Sequence, residues 1–116
     1  MNQEECYKIT VELDDRTAHD LAYIARWEHC TVEELVQRRL AGEPVAYIVG
    51  EWEFYGLPLN ISNDVLIPRV DTEVLAERGI LRARAAGEGA RVLDLCAGSG
   101  CVGLAIAANA PDCRVV

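Results

Sequence analysis

The chain reads as an α/β protein: a small strand-helix-helix module, a β-hairpin linker, then the opening of a parallel sheet. Three observations carry that reading. Residues Tyr7 to Leu13 alternate apolar and polar and precede two amphipathic helical segments, aromatic and β-branched clusters follow Pro44, and a short apolar run ends at Asp94 before a glycine-rich turn. At 116 residues, 51% apolar and 26% charged, the composition is that of a folded domain and excludes disordered or collagen-like chains. No apolar run approaches the ~20 residues of a membrane span. Residues Met1 to Glu5 are acidic where a secretory signal is basic, so a cytoplasmic protein is expected. The formal net charge of -8 opposes phosphate backbones and anionic membranes, which leaves a small molecule or another protein as partner.

Tyr7, Ile9, Val11 and Leu13 form one face of the first predicted strand, with Lys8, Thr10 and Glu12 on the other. Asp14 or Asp15 caps a helix of about four turns marked by Ala18, Leu21, Ala22, Ala25 and His29. Thr31 and Glu34 make a capping box for a second helix, whose stripe is Val32, Leu35, Val36 and Leu40 and whose stop is Gly42 with Pro44. Strand, helix, turn and helix over residues 7–41 resembles the ribbon-helix-helix fold, which implies a homodimer paired through residues 7–13. DNA binding is disfavoured, because residues 1–44 carry five basic against ten acidic side chains. A helical cap with an N-terminal arm is the competing reading of the same residues.

Tyr47 to Val49 and Trp52 to Tyr55, then Leu57, Leu59 and Ile61 alternating with Pro58, Asn60 and Ser62, predict a β-hairpin with Pro58 on an edge. Asn63, Asp64 and Pro68 mark loops. Asp71 or Thr72 then caps a helix running to about Ala86, weakly interrupted by Gly79, and Gly87 to Gly89 break the chain.

The segment from Arg91 to Gly100 and the Ala-rich stretch from Cys101 to Ala110 predict strand, turn and helix, with Cys113 to Val116 opening a second parallel strand. Gly98 and Gly100 let the backbone turn sharply beside a ligand, and Gly103, Ala105 and Ala107 keep the helix slim against the sheet. A P-loop is excluded, since Lys8 is the sole lysine. Gly98, Gly100 and Gly103 fit the dinucleotide pattern Gly-x-Gly-x-x-Gly. Asp94 favours a ligand with a cationic amine, such as S-adenosylmethionine. A close-packed turn without a ligand is the third reading. The five cysteines, Cys6, Cys30, Cys96, Cys101 and Cys113, show no metal-ligand spacing and read as reduced structural thiols, and no metal site is expected.

Five motifs in order, Gly42-Glu43-Pro44, Tyr47-Ile48-Val49-Gly50, Phe54-Tyr55-Gly56-Leu57, Leu66-Ile67-Pro68-Arg69 with Thr72-Glu73, and Leu93 to Cys101, resemble the HemK/PrmC family of protein-(glutamine-N5) methyltransferases. The last of them looks like motif I of class I, Rossmann-like methyltransferases. The resemblance implies methyl transfer from S-adenosylmethionine to the glutamine of the Gly-Gly-Gln loop in peptide chain release factors, hence a role in translation termination. It implies cofactor contacts at Asp94, Cys96, Ala97, Gly98, Ser99 and Gly100, joined by Arg69, Thr72 and Glu73; read without it, Arg69 and Glu73 are an i,i+4 surface ion pair. It divides the chain into residues 1–44 for substrate recognition or dimerisation, the hairpin linker 45–70, and the incomplete cofactor domain 71–116. The Asn-Pro-Pro-Tyr loop that aims the amide nitrogen in this family is not in the sequence, so no catalytic residue is expected in this span. The stretch is expected to be the N-terminal part of a longer enzyme, inactive by itself. Three positions depart from the family pattern: Gly is usual at Cys96, Thr at Ala97 and Pro at Val70. A positive φ at Cys96 would be strained.

Overall fold

The computed structural model describes residues 10–116, and two compact units divide at Gly42 and Glu43. Of the first expected strand, Tyr7, Lys8 and Ile9 lie outside the described residues. Thr10 to Leu13 form no strand, and Val11 and Leu13 are 61% and 41% exposed. A strand is defined by its ladder, and no described segment offers these residues one.

In the first unit α1 spans Asp15–Trp27 and α2 spans Val32–Leu40. Asp14 caps α1, its carboxylate accepting from the Thr17 N–H and hydroxyl, each at 2.8 Å. Thr31 and Glu34 form the full capping box of α2: the Thr31 hydroxyl accepts from the Glu34 N–H at 3.2 Å and Glu34 accepts from the Thr31 N–H at 2.7 Å. Ala25 and Leu35 are the buried contacts of the two helices. His29, expected on α1, instead sits in the turn between them with φ 54. Leu40, expected in the apolar stripe, is 61% exposed.

The second unit opens with α3, Val45–Val49, where Tyr47 to Val49 were expected in the hairpin. Punctuation overrides composition here. Pro44 accepts from the N–H groups of Tyr47 and Ile48, and Gly50, at φ 74, closes the turn back to Ala46 in a left-handed conformation that strand residues do not adopt. Ala46 and Ile48 are buried as a result. The hairpin itself is as read: β1, Glu51–Phe54, pairs antiparallel with β2, Leu57–Asn60, placing Pro58 opposite Glu53. Its two-residue turn, Tyr55 and Gly56, has positive φ at both positions, 51 and 75, as a type I′ connection requires.

Helix α4 runs over Val70–Ala86 and starts before the expected cap, with Arg69 at the N-cap and Asp71 and Thr72 inside the first turn. Gly79 is not a weak point of this helix. A Cβ there would stand 2.5 Å from Ile106 Cδ1, so its missing side chain is what lets α4 approach α5, Cys101–Asn109. Strand β3 is shorter than the apolar run suggests, Arg91–Val92, and pairs parallel with β4, Arg114–Val115, across α5. The Asp94 N–H still donates to the Val116 carbonyl at 2.8 Å, extending the contact past the formal strand. Gly103 and Ala105 are buried as expected, whereas Ala107 is exposed.

Phe54, at 1% exposure, centres a cluster with Ala46, Leu59, Ile61, Ala76, Cys101 and Ala105, so the hairpin is packed on both α4 and α5. Burying one such aromatic contributes about 1.5–3 kcal/mol. Ile80, Ala83, Ile106 and Ala110 form the neighbouring cluster beneath β3 and β4.

Candidate functional site

The second unit carries an open cleft of about 740 Å³ between the start of α4 and the start of α5. One wall is the loop Cys96, Ala97, Gly98 and Ser99 with Cys101; the other is Leu66, Ile67, Pro68, Arg69, Val70 and Thr72. Pro44, Tyr47 and Trp52 line it from α3 and β1. Six of the nine residues expected to hold a cofactor therefore face one space, although they come from segments separated by more than twenty positions.

Local chemistry explains the shape. Neither N-cap residue, Arg69 or Gly100, gives its helix a side-chain cap, although Asp94 reaches the first turn of α5 from the preceding strand end. Residues at both helix starts, Val70 and Thr72 of α4 and Cys101 of α5, line the cleft, and the positive end of a helix dipole suits an anionic group. The Arg69 guanidinium adds a full charge of the same sign. Gly98, at φ 59, meets nothing within 4 Å of where a Cβ would be, so any side chain there would be strained and would project into open space. Cys96 does carry a side chain at φ 58, the strained geometry expected for a cysteine at a glycine position. Leu66 and Val70 are 86% and 77% exposed, giving the cleft an apolar lip. The Tyr47 hydroxyl donates to the Val65 carbonyl at 2.7 Å and ties α3 to the loop that supplies that lip.

Asp94, Gly100 and Glu73 do not line the cleft. Asp94 Oδ2 accepts from the Gly103 N–H at 2.9 Å, satisfying a first-turn donor of α5 and fixing the loop from behind. Gly100, at φ 78, is the residue on which the chain enters that helix. Glu73 Oε1 accepts from the Tyr55 N–H at 2.8 Å, and no Arg69–Glu73 ion pair occurs among the described residues. Tyr47, Trp52 and Leu66 were not foreseen as lining residues. The single advance signal was their place inside the motifs around Tyr47 and Leu66 or, for Trp52, on the hairpin between them.

Among the described residues no group of three His, Cys, Asp or Glu side chains is placed to hold a metal ion, and no helix is long and apolar enough to cross a membrane. Cys30, Cys96, Cys101 and Cys113 are free thiols.

Comparison with known proteins agrees with the motifs. Residues 21–50 match the family described as PrmC N-terminal domain. A release factor glutamine methyltransferase of Thermodesulfovibrio yellowstonii is 45% identical over 86 residues, 73% of this chain and 31% of that protein. Proteins of the same name from Salmonella typhimurium and Escherichia coli are 49% and 43% identical over 82 and 90 residues, covering 71% and 77% of this chain but 29% and 32% of their own lengths. The chain thus spans about a third of the length of the curated relatives it matches. Over that span, the sequence is similar to the release factor glutamine methyltransferases, and its residues 21–50 match the PrmC N-terminal domain.

Proposed function

We propose that this chain supplies the cofactor-binding start of an S-adenosylmethionine-dependent protein-(glutamine-N5) methyltransferase that acts on peptide chain release factors in the cytoplasm. The observation that carries the reading is the convergence of the start of α4, Arg69 and the Cys96–Ser99 loop on a single cleft. A carboxylate such as the methionine end of S-adenosylmethionine suits that wall, and the loop glycines leave room for close approach. The chemistry of the site thus matches the activity in the relatives' names.

In this reading β3, α5 and β4 are the first βαβ unit of a Rossmann-like sheet. Cys96, Ala97, Gly98 and Ser99 shape the loop against the donor, Gly100 launches α5, and Arg69 and Thr72 close the opposite wall. Asp94 holds the loop from behind through the Gly103 N–H rather than touching the donor. Glu73 fixes the hairpin beside the site rather than touching the ligand. The amide nitrogen of glutamine is a poor nucleophile, its lone pair being delocalised, so the enzyme's main task is orientation, which lowers barriers by several kcal/mol. The Asn-Pro-Pro-Tyr loop that would perform it is absent from this sequence, and the chain alone is expected to bind donor without transferring its methyl group. Residues 1–44 serve substrate recognition in this scheme.

Titration with S-adenosylmethionine tests it. A saturable calorimetric signal is expected, accompanied by a change in the emission of Trp52, which lines the cleft; Trp27→Phe removes the other indole. No heat and no emission change at millimolar donor would overturn the cofactor assignment. The second reading, homodimerisation through residues 7–13 without catalysis, is favoured by the exposed apolar Val11 and Leu13. Light scattering separates the two, because a monomer at high concentration eliminates the paired ribbon.

A further inference from the structure

The wall of the cleft that carries Arg69 comes from an irregular segment, residues 61–69, between β2 and α4. Its ends are fixed through the backbone: the Ile61 N–H donates to the Gly50 carbonyl at 2.8 Å, and the Arg69 carbonyl accepts from the Thr72 N–H at 3.0 Å. Between them Val65 and Ile67 pack against the Phe54 cluster and Pro68 is buried. Apolar contacts of this kind hold the segment down without giving it a direction. Among the described residues, one hydrogen bond reaches residues 62–68 from elsewhere in the fold. It is the bond of the Tyr47 hydroxyl to the Val65 carbonyl, 2.7 Å long and spanning eighteen positions. Ser62, Asp64 and Val65 otherwise bond only to one another.

We infer that Tyr47 is a positioning residue of this cleft: its hydroxyl sets where the Val65–Pro68 stretch lies, and through it where the Arg69 guanidinium meets a ligand's carboxylate. The identity of that ligand rests on the cofactor reading; the tie does not. A phenol has a single O–H, and here it is committed to Val65, so the hydroxyl cannot also donate to a ligand. Tyr47→Phe therefore keeps the ring that lines the cleft and removes only the tie. The consequence falls on Leu66, Ile67, Pro68 and Arg69, the lining residues that directly follow Val65. A guanidinium that must first be brought into place costs ordering entropy at the moment of binding, and one already held there does not.

The test compares the whole chain with its Tyr47→Phe variant. In amide nitrogen relaxation, the order parameters of Val65, Leu66 and Ile67 are expected to fall from about 0.85 towards about 0.6 in the variant, while those of α4 and α5 do not change. In calorimetry S-adenosylmethionine should bind about tenfold more weakly, the effect of one hydrogen bond. Methylthioadenosine, which lacks the carboxylate and the amine, should bind as before. In an Arg69→Ala background Tyr47→Phe should change donor affinity by less than about twofold, since the group it positions is gone. Unchanged order parameters would overturn the proposal. Equal losses for the two ligands, or additive losses for the two substitutions, would do the same, because each marks a general loosening rather than a positioned Arg69. If the native chain binds neither ligand, the cofactor assignment falls by itself, and the order parameters of Val65, Leu66 and Ile67 still decide the tie.

Discussion

Glu73, in the first turn of α4, reaches across to the hairpin and accepts the backbone N–H of Tyr55 at 2.8 Å. Tyr55 sits in the left-handed turn, at φ 51, where its N–H has no ladder partner. Replacing Glu73 by Ala leaves a part-buried donor unpaired and is expected to cost about 1–3 kcal/mol in urea unfolding. Glu73→Gln keeps an acceptor oxygen and should lose less than half of that. Equal losses for the two variants would show that charge, rather than this bond, is what matters at position 73.

Asp94 gives a parallel case at the other helix. Its Oδ2 satisfies the Gly103 N–H at 2.9 Å, the role of an N-terminal cap supplied from the preceding strand end. Asp94→Ala is expected to destabilise the second unit by about 1–2 kcal/mol and Asp94→Asn by less. Because Asp94 acts on the loop from outside the cleft, Asp94→Asn should weaken S-adenosylmethionine binding no more than it weakens folding. Calorimetric titration of the folded variant separates the effects.

The contact of Gly79 with Ile106 predicts a paired effect. Gly79→Ala would gain about 0.5–1 kcal/mol of helix propensity, yet its methyl lands 2.5 Å from Ile106 Cδ1. Overpacking costs about 1–3 kcal/mol, so net destabilisation is expected. Ile106→Val deletes that Cδ1 carbon. The double variant should therefore be more stable than the sum of the single changes, measured as a coupling energy from chemical denaturation.

Acid should release the start of α1. The two hydrogen bonds from Thr17 hold the Asp14 carboxyl below its ordinary value of 3.8, with burial opposing them weakly. A depressed folded value favours the folded state above the unfolded pKa, and that contribution fades as pH falls through the folded one. The Thr17 amide proton resonance should accordingly move below about pH 4, and Asp14→Asn should abolish the transition while retaining much of the cap.

Much of this architecture could be read directly because its signals are local. Asp14, Thr31 and Glu34 announce helix starts within four residues of themselves, and the Asp94-to-Gly100 turn places α5 to the residue. Where reading failed, the deciding partner was a single punctuating residue or lay far off in sequence. Val45–Val49 has strand-like side chains, but Pro44 and Gly50 close it as one helical turn. Arg69 displaced Asp71 and Thr72 as the cap position of α4. Glu73 read as a pocket residue because spacing cannot show the Tyr55 N–H, eighteen positions away. The shared cleft of Arg69, Thr72 and the Cys96–Ser99 loop was legible only through linked motifs, since nothing in either segment alone demands the other.

At position 103 a methyl group would stand 2.8 Å from Asp94 Oδ2 and 3.3 Å from Val115 Cγ1. Hydrogen is thus the largest substituent that this junction admits, and the segment spanning residues 95–100 is stretched between two anchors that cannot drift apart without breaking the Asp94 bond. Engineers seeking tolerance to inserted residues should leave that bridge alone and use the exposed stretch at Asn63–Asp64, where no described bond reaches beyond Ser62 and Val65.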